Sequence, residues 1–180
     1  MRDNELIQLI RNNLLTALDG STTFQNVDVI ASNQPTQQGI NFKPTVYFFK
    51  LMDHRYGFPQ RSDVYDEIND VMIHTETQQY ITTFQIGSLV RQNPRTPWNY
   101  TASDLTNECS AILQSEYVIT QFFAADAGIL KIGDINNPYF IDDKDQYEAY
   151  SSFDFSVTHK RARVSTVPVV ESIQYNIKRV

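Results

Sequence analysis

The chain has 180 residues, 41% hydrophobic and 20% charged, with 15 Lys and Arg against 21 Asp and Glu and a formal net charge of −6. That length supports one domain with a core that needs no covalent staple, and the composition suits neither a disordered acidic tail nor a membrane protein. The single cysteine excludes an intrachain disulfide framework, and the negative balance argues against general nucleic-acid binding.

The opening, MRDNELIQLIRNNLL, mixes charged and apolar residues too closely for a secretory signal, and no membrane-spanning run follows it. Synthesis and action in the cytoplasm, or in a particle assembled there, is the expectation. Asp3 or Asn4 caps a first helix on this reading, with Leu6, Ile7, Ile10, Leu14, Leu15 and Leu18 on one apolar stripe. Arg11, Asn12 and Asn13 fall towards solvent, and Gly20 stops the helix. A short strand around Val27 to Ile30 leads into a polar loop, and 31–45 reads as a protruding segment.

KPTVYFFKLM is a stronger strand: Tyr47, Phe49 and Leu51 point one way, and Val46, Phe48 and Met52 the other. Lys50 on the second face marks a rim. Residues 53–79 hold a turn signal at Gly57 and Pro59 and lack a clean period at first, which suits a hairpin arm carrying Tyr56, Phe58 and Tyr65. Further on, Tyr80, Thr82, Phe84, Ile86 and Ser88 share one strand face, opposite Ile81, Thr83, Gln85 and Leu89. Pro94 and Pro97 break that ladder. Thr101 or Ser103 then caps a second helix, with Asp104 completing a capping box and Leu105, Cys109, Ile112 and Leu113 on one face. Helical character runs on towards a stop at Gly128.

Strands dominate the last third. GILKIGDI is short, and FDFSVTHKRARV puts Phe153, Phe155 and Val157 on one face against Asp154, Ser156 and Thr158. A final strand aligns Ile173, Tyr175 and Ile177, with Pro168 at its start or edge. The order predicts one α+β domain over 1–180: an antiparallel or mixed sheet, two principal helices on one face, and an extended loop or hairpin arm.

Motifs for chemistry are missing. There is no phosphate-cradling glycine loop, no dinucleotide turn and no nucleophile elbow. His54, His74 and His159 are isolated, and the His74–Glu76 pair is too common a pattern to indicate a metal. Asp142, Asp143 and Asp145 lack the glycine and distal glutamate of a calcium loop. Cys109 sits beside Glu108 on a packing stripe, a poor setting for a thiolate. No catalytic residue, cofactor or metal ligand is assigned, and the protein is read as a non-enzyme.

Charge is unevenly spread. Five acids, Asp63, Asp66, Glu67, Asp70 and Glu76, fall in a stretch without Lys or Arg, whereas Lys160, Arg161, Arg163, Lys178 and Arg179 face only Glu171 after Phe155. Patches of opposite sign favour head-to-tail packing of identical subunits; solvated loops would give the same tally.

An N-terminal amphipathic helix, the aromatic strand Val46 to Met52, the long strand Ile81 to Arg91, the helix Thr101 to Leu113 and the closing FDFSVTH together resemble the tail terminator and neck terminator (tail completion) proteins of tailed bacteriophages. The resemblance lies in length and element order. It implies a virion protein of the tail or neck, assembled in the host cytoplasm as a homo-oligomeric ring, generally a hexamer. Such a ring ends the tail tube, contacts tube and neck or connector proteins in head–tail joining, and lets DNA pass through a channel without sequence-specific binding. On that basis Lys50, Arg161 and Arg163 are expected at subunit interfaces, Tyr56 and Phe58 against a tail or neck partner, and Asp63, Asp66, Glu67 and Asp70 along the channel. Another adaptor, minor capsid or baseplate protein is the alternative, followed by an enzyme or nucleic-acid-binding module.

Overall fold

The computed structural model describes residues 1–31, 43–90, 100–141 and 147–168. The polar loop after Ala31, the Pro94–Pro97 loop, the Asp142–Asp145 acids and the strand expected around Ile173 to Ile177 lie outside these residues. Ten elements follow in order: α1 (Asp3–Asp19), β1 (Asp28–Ala31), β2 (Thr45–Asp66), β3 (Val71–Leu89), α2 (Ala102–Gln114), α3 (Glu116–Ala124), β4 (Ala127–Ile132), β5 (Tyr139–Ile141), β6 (Tyr147–Ala149) and β7 (Ser151–Pro168). The main sheet has the order β1-β2-β3-β7-β4, parallel at β1–β2 and antiparallel elsewhere, so it is mixed. The fold is α+β.

Helices cover one face of this sheet. Leu6, Ile10, Leu14 and Leu18 of α1, Leu105, Cys109, Ile112 and Leu113 of α2, and Val118 and Phe122 of α3 are all buried in one cluster. They meet Val46, Phe48, Phe84, Ile86, Phe153, Phe155 and Val157, the inward set that strand alternation requires. α1 packs on β1, α2 on β3 and β7, and α3 on β4, so the helices follow the lateral order of the sheet. Buried hydroxyls fasten α2: Ser88 Oγ donates to the Ala102 carbonyl at 2.6 Å, and Thr106 Oγ1 lies 2.5 Å from Ser88 Oγ.

Local details correct the sequence reading in four places. The N-cap of α1 is Arg2, whose amide donates to Glu5 Oε2 at 2.7 Å; Asp3 is the first helical residue and is used elsewhere. Asn13 is buried instead of solvent-facing, and its amide group donates to the Leu9 carbonyl one turn back. The second helix breaks at Ser115, whose hydroxyl donates to the Ile112 carbonyl and accepts from the Val118 amide, so a third helix begins there. That helix ends at Ala124, before Gly128, because Asp126 takes a left-handed conformation and Gly128 already belongs to β4.

The other sheet face is largely polar. Thr83 meets Ser156 at 3.1 Å, and Gln85 donates to Asp154 at 2.9 Å. The Tyr150 ring crosses this face over Gly87: a Cβ there would overlap the ring, with Cε2 only 2.7 Å away, so a larger residue would require Tyr150 to move.

Candidate assembly surface

Only the inner third of β2 is core. From Leu51 to Tyr65 every residue is exposed, yet β2 stays paired with β3 to Asp66↔Val71, and β3 stays paired with β7 to Val71↔Pro168. Beyond the last β4 pair, Ala127↔His159, these outer strands form a three-stranded ribbon over 71–79 of β3, roughly 26 Å long at about 3.3 Å per residue. β1 pairs with β2 only over Thr45 to Phe48, so the outer edge of β2 is open from there among the described residues.

A register shift between Lys50 and Met52 re-aims the ribbon as it leaves the core. Met52 lies across from Thr83, on the polar face, and Asp53 lies across from Thr82, on the helix face. The sequence alternation had put Met52 on the face of Val46 and Phe48; the bulge moves it to the opposite one.

The consequence is a charged root beneath α1. Lys50 Nζ reaches Asp53 at 2.5 Å and Asp3 at 2.9 Å, and the other Asp3 oxygen accepts from Arg161 at 3.0 Å. The Arg161 guanidinium also lies 5.6 Å from the centre of the Tyr80 ring, which stacks on His159 at 5.7 Å. Thr82 Oγ1 donates to Asp53 Oδ1 at 2.7 Å, since an ionised carboxylate only accepts. Its single proton thus committed, Thr82 accepts from His159 Nε2–H at 2.9 Å, which fixes the histidine tautomer. His159 Nδ1 is buried without a partner among the described residues.

Electrostatics follow this wiring. Burial pushes the Asp53 carboxyl up, but the hydrogen bonds from Lys50 and Thr82, with the Lys50 charge, hold it below the usual carboxylate range. Burial likewise lowers Lys50, and its two carboxylate partners outweigh that and raise it. For His159, burial first and the Met1 ammonium second outweigh Asp53 and Asp3, and its pKa falls. The ring therefore stays neutral where an exposed histidine would begin to charge.

Sequence-predicted residues are placed as follows. Lys50 and Arg161 come together on Asp3, 47 and 158 positions away, and so tie the ribbon to α1 within one chain. Arg163 lies across from Glu76 on the exposed part of β7. Tyr56 borders a second irregularity, where Gly57, Phe58 and Pro59 stand out between Tyr56↔Gln79 and Gln60↔Thr77. Gly57 takes φ +67°, and Gln78 Nε2 donates to the Tyr56 and Gly57 carbonyls, closing the bulge from behind. Phe58 is consequently 99% exposed.

At the tip the acids hold the turn. Asp66 accepts from the Ile68 and Asn69 amides, Asp70 (left-handed, φ 51°) accepts from the Tyr65 hydroxyl at 2.7 Å, and Asp63 lies 2.5 Å from His74 Nδ1. Glu67 is exposed beside them. Hydrogen bonding to Asp63 raises the His74 pKa. His74 is thus engaged with Asp63, and no group of three or more metal-ligating side chains gathers among the described residues.

Sequence reasoning missed an apolar surface on the opposite edge of the sheet. Phe123 is 82% exposed, with Ile119 and Leu130 half exposed beside it, along a groove against β4. Helical spacing alone did not separate these from the buried Val118 and Phe122 of the same helix.

The described residues form an α+β fold whose mixed sheet runs out into a long, uncovered β ribbon. The chain is a member of the E217 gateway protein gp29 family, whose profile matches residues 5–169. No curated protein matches its sequence. Among solved structures it is similar to the sheath/tube terminator of an extracellular contractile injection system, PVC, in the extended state, with 8% identity and a TM-score of 0.56. The match covers 100% of this chain and 64% of that one, so the chain spans a little under two thirds of the terminator's length. The likeness to this sheath/tube terminator holds at the level of fold.

Proposed function

We propose that this protein is a non-enzymatic structural subunit that assembles with copies of itself into a ring, closing the end of a phage tail and joining it to the neck. The observation that carries this reading is the uncovered ribbon on a terminator-like fold: a monomer has no use for roughly 26 Å of sheet with both faces wet. A six-fold ring with an axial passage for DNA is the form that the terminator likeness suggests, in a virion assembled in the host cytoplasm. The root network sets the angle at which the ribbon leaves the core. Lys50 and Arg161 therefore serve subunit contacts by aiming the ribbon, and Arg163 meets the neighbouring copy directly.

Purified protein, alone and with tail tubes, should give closed rings by electron microscopy and a single large species by sedimentation. Monomers at every concentration, with and without tubes, would remove the reading.

The acidic tip, Asp63, Asp66, Glu67 and Asp70, is assigned to the channel wall, where like charge keeps DNA from adhering. Glu67 is the residue to test, because Asp66 and Asp70 are needed for the turn. Glu67→Lys should slow DNA release from particles and leave the melting temperature within about 2 °C. Unchanged release takes the tip out of the channel.

A further inference from the structure

Phe58 and Phe123, both exposed, lie at one level on opposite edges of the same sheet. The ladder fixes this: Tyr56 pairs with Gln79, Gln79 with Lys160, and the adjacent His159 with Ala127 of β4. Phe58 stands two residues past Tyr56 on the β2 edge, and Phe123 lines one hollow with Gln79, Asp126, Ala127 and Lys160 beyond β7. Shifting a copy sideways along the strand order therefore carries the bulge of one onto the hollow and groove of the next.

We propose that copies of this chain join head to tail through these two edges, with Phe58 of one seated against Phe123, Ile119 and Leu130 of its neighbour. The proposal rests on the ring reading and supplies its contact. Charge does not hold this pairing: Arg61 is ion-paired with Glu76 of its own chain, and the hollow and groove carry Asp126 beside Lys131 and Lys160, so the exposed apolar area at matching levels of the two edges carries the contact. A contact between two different faces repeats around a ring, as a two-fold contact does not. β4 itself is unsuited to adding a strand, being six residues long, interrupted between Ile129 and Lys131, and carrying that lysine. The neighbour is held by side chains. This gives Phe58 to a second copy in place of the tail or neck partner that the sequence suggested.

The test mixes two full-length variants, Phe58→Cys and Phe123→Cys, and treats them with a short bis-maleimide. The native Cys109 is buried, its thiol pushed up to about 12 by desolvation, and it stays silent. Cross-linked heterodimer is expected, at least about 10-fold above the homodimer from either variant alone, and Phe58→Ser should weaken self-association by at least about 10-fold with an unchanged melt. Rings that form normally with Phe58→Ser, or cross-links confined to homodimers, overturn this contact and leave the ring standing. Wild-type protein that sediments only as a monomer overturns both.

Discussion

Phe155→Ala lowers the stability of the fold by about 3–5 kcal/mol, read as a shift in denaturation midpoint. Phe155 is 1% exposed, stacks on Phe84 at 5.6 Å and touches Phe153 at 6.3 Å in the middle of the helix-covered face. Ladder hydrogen bonds hold its neighbours in place, so the vacated volume cannot collapse. Against a typical total of about 5–15 kcal/mol, that loss is a large part of the whole. Phe58→Ala is the control: with the ring 99% exposed, it should change stability by less than about 0.5 kcal/mol. A loss below about 1 kcal/mol for Phe155→Ala would contradict the packing described.

Thr82→Val is the second large effect, about 2–3 kcal/mol, and it creates no cavity because the side chains match in shape. Valine removes the donor to Asp53 and the acceptor of His159 Nε2–H, leaving that buried N–H without a partner. Amide exchange should quicken in the outer ribbon more than in the helix-covered sheet, since Thr82 joins β2 and β7 at the root. Uniform quickening would deny the root a local role.

The same site sets an acid response. The unfolded chain takes a proton on His159 near 6.5, and the folded site resists it, so this contribution to stability is lost as pH falls below 6.5. Asp53 adds stability present above 3.8 and lost as pH falls through its lowered folded value. His74 works the other way: its contribution is present below 6.5 and is lost as pH rises through its raised value. His159→Gln keeps a donor for Thr82 and does not titrate, so its stability should fall less than wild type between about pH 7 and 5. An equal or steeper fall would contradict the neutral buried ring.

Much of the core was readable because it is periodic. The stripe Leu6, Ile10, Leu14, Leu18 and the alternations Phe84, Ile86 and Phe153, Phe155, Val157 became buried faces as spacing requires. The Thr101–Asp104 capping box was readable as well, being entirely local. What escaped the sequence is register. Nothing near Leu51 signals that β2 slips there and turns Asp53 to the helix face, and that slip creates the root. Nor does local pattern announce a contact between Asp3 and Arg161, because partners that far apart in sequence meet only through the completed sheet. Phe58 was found from the Gly57–Pro59 turn signal. Phe123 was not, because an apolar residue on an apolar helix looks like core until the sheet edge is known.

The most direct measurement is to locate the protein in the native particle by electron microscopy. The account predicts a closed ring of identical subunits around the axis at the head-proximal end of the tail, each touching the next through opposite sheet edges. A protein absent from the particle, or present as single copies away from that end, would contradict it.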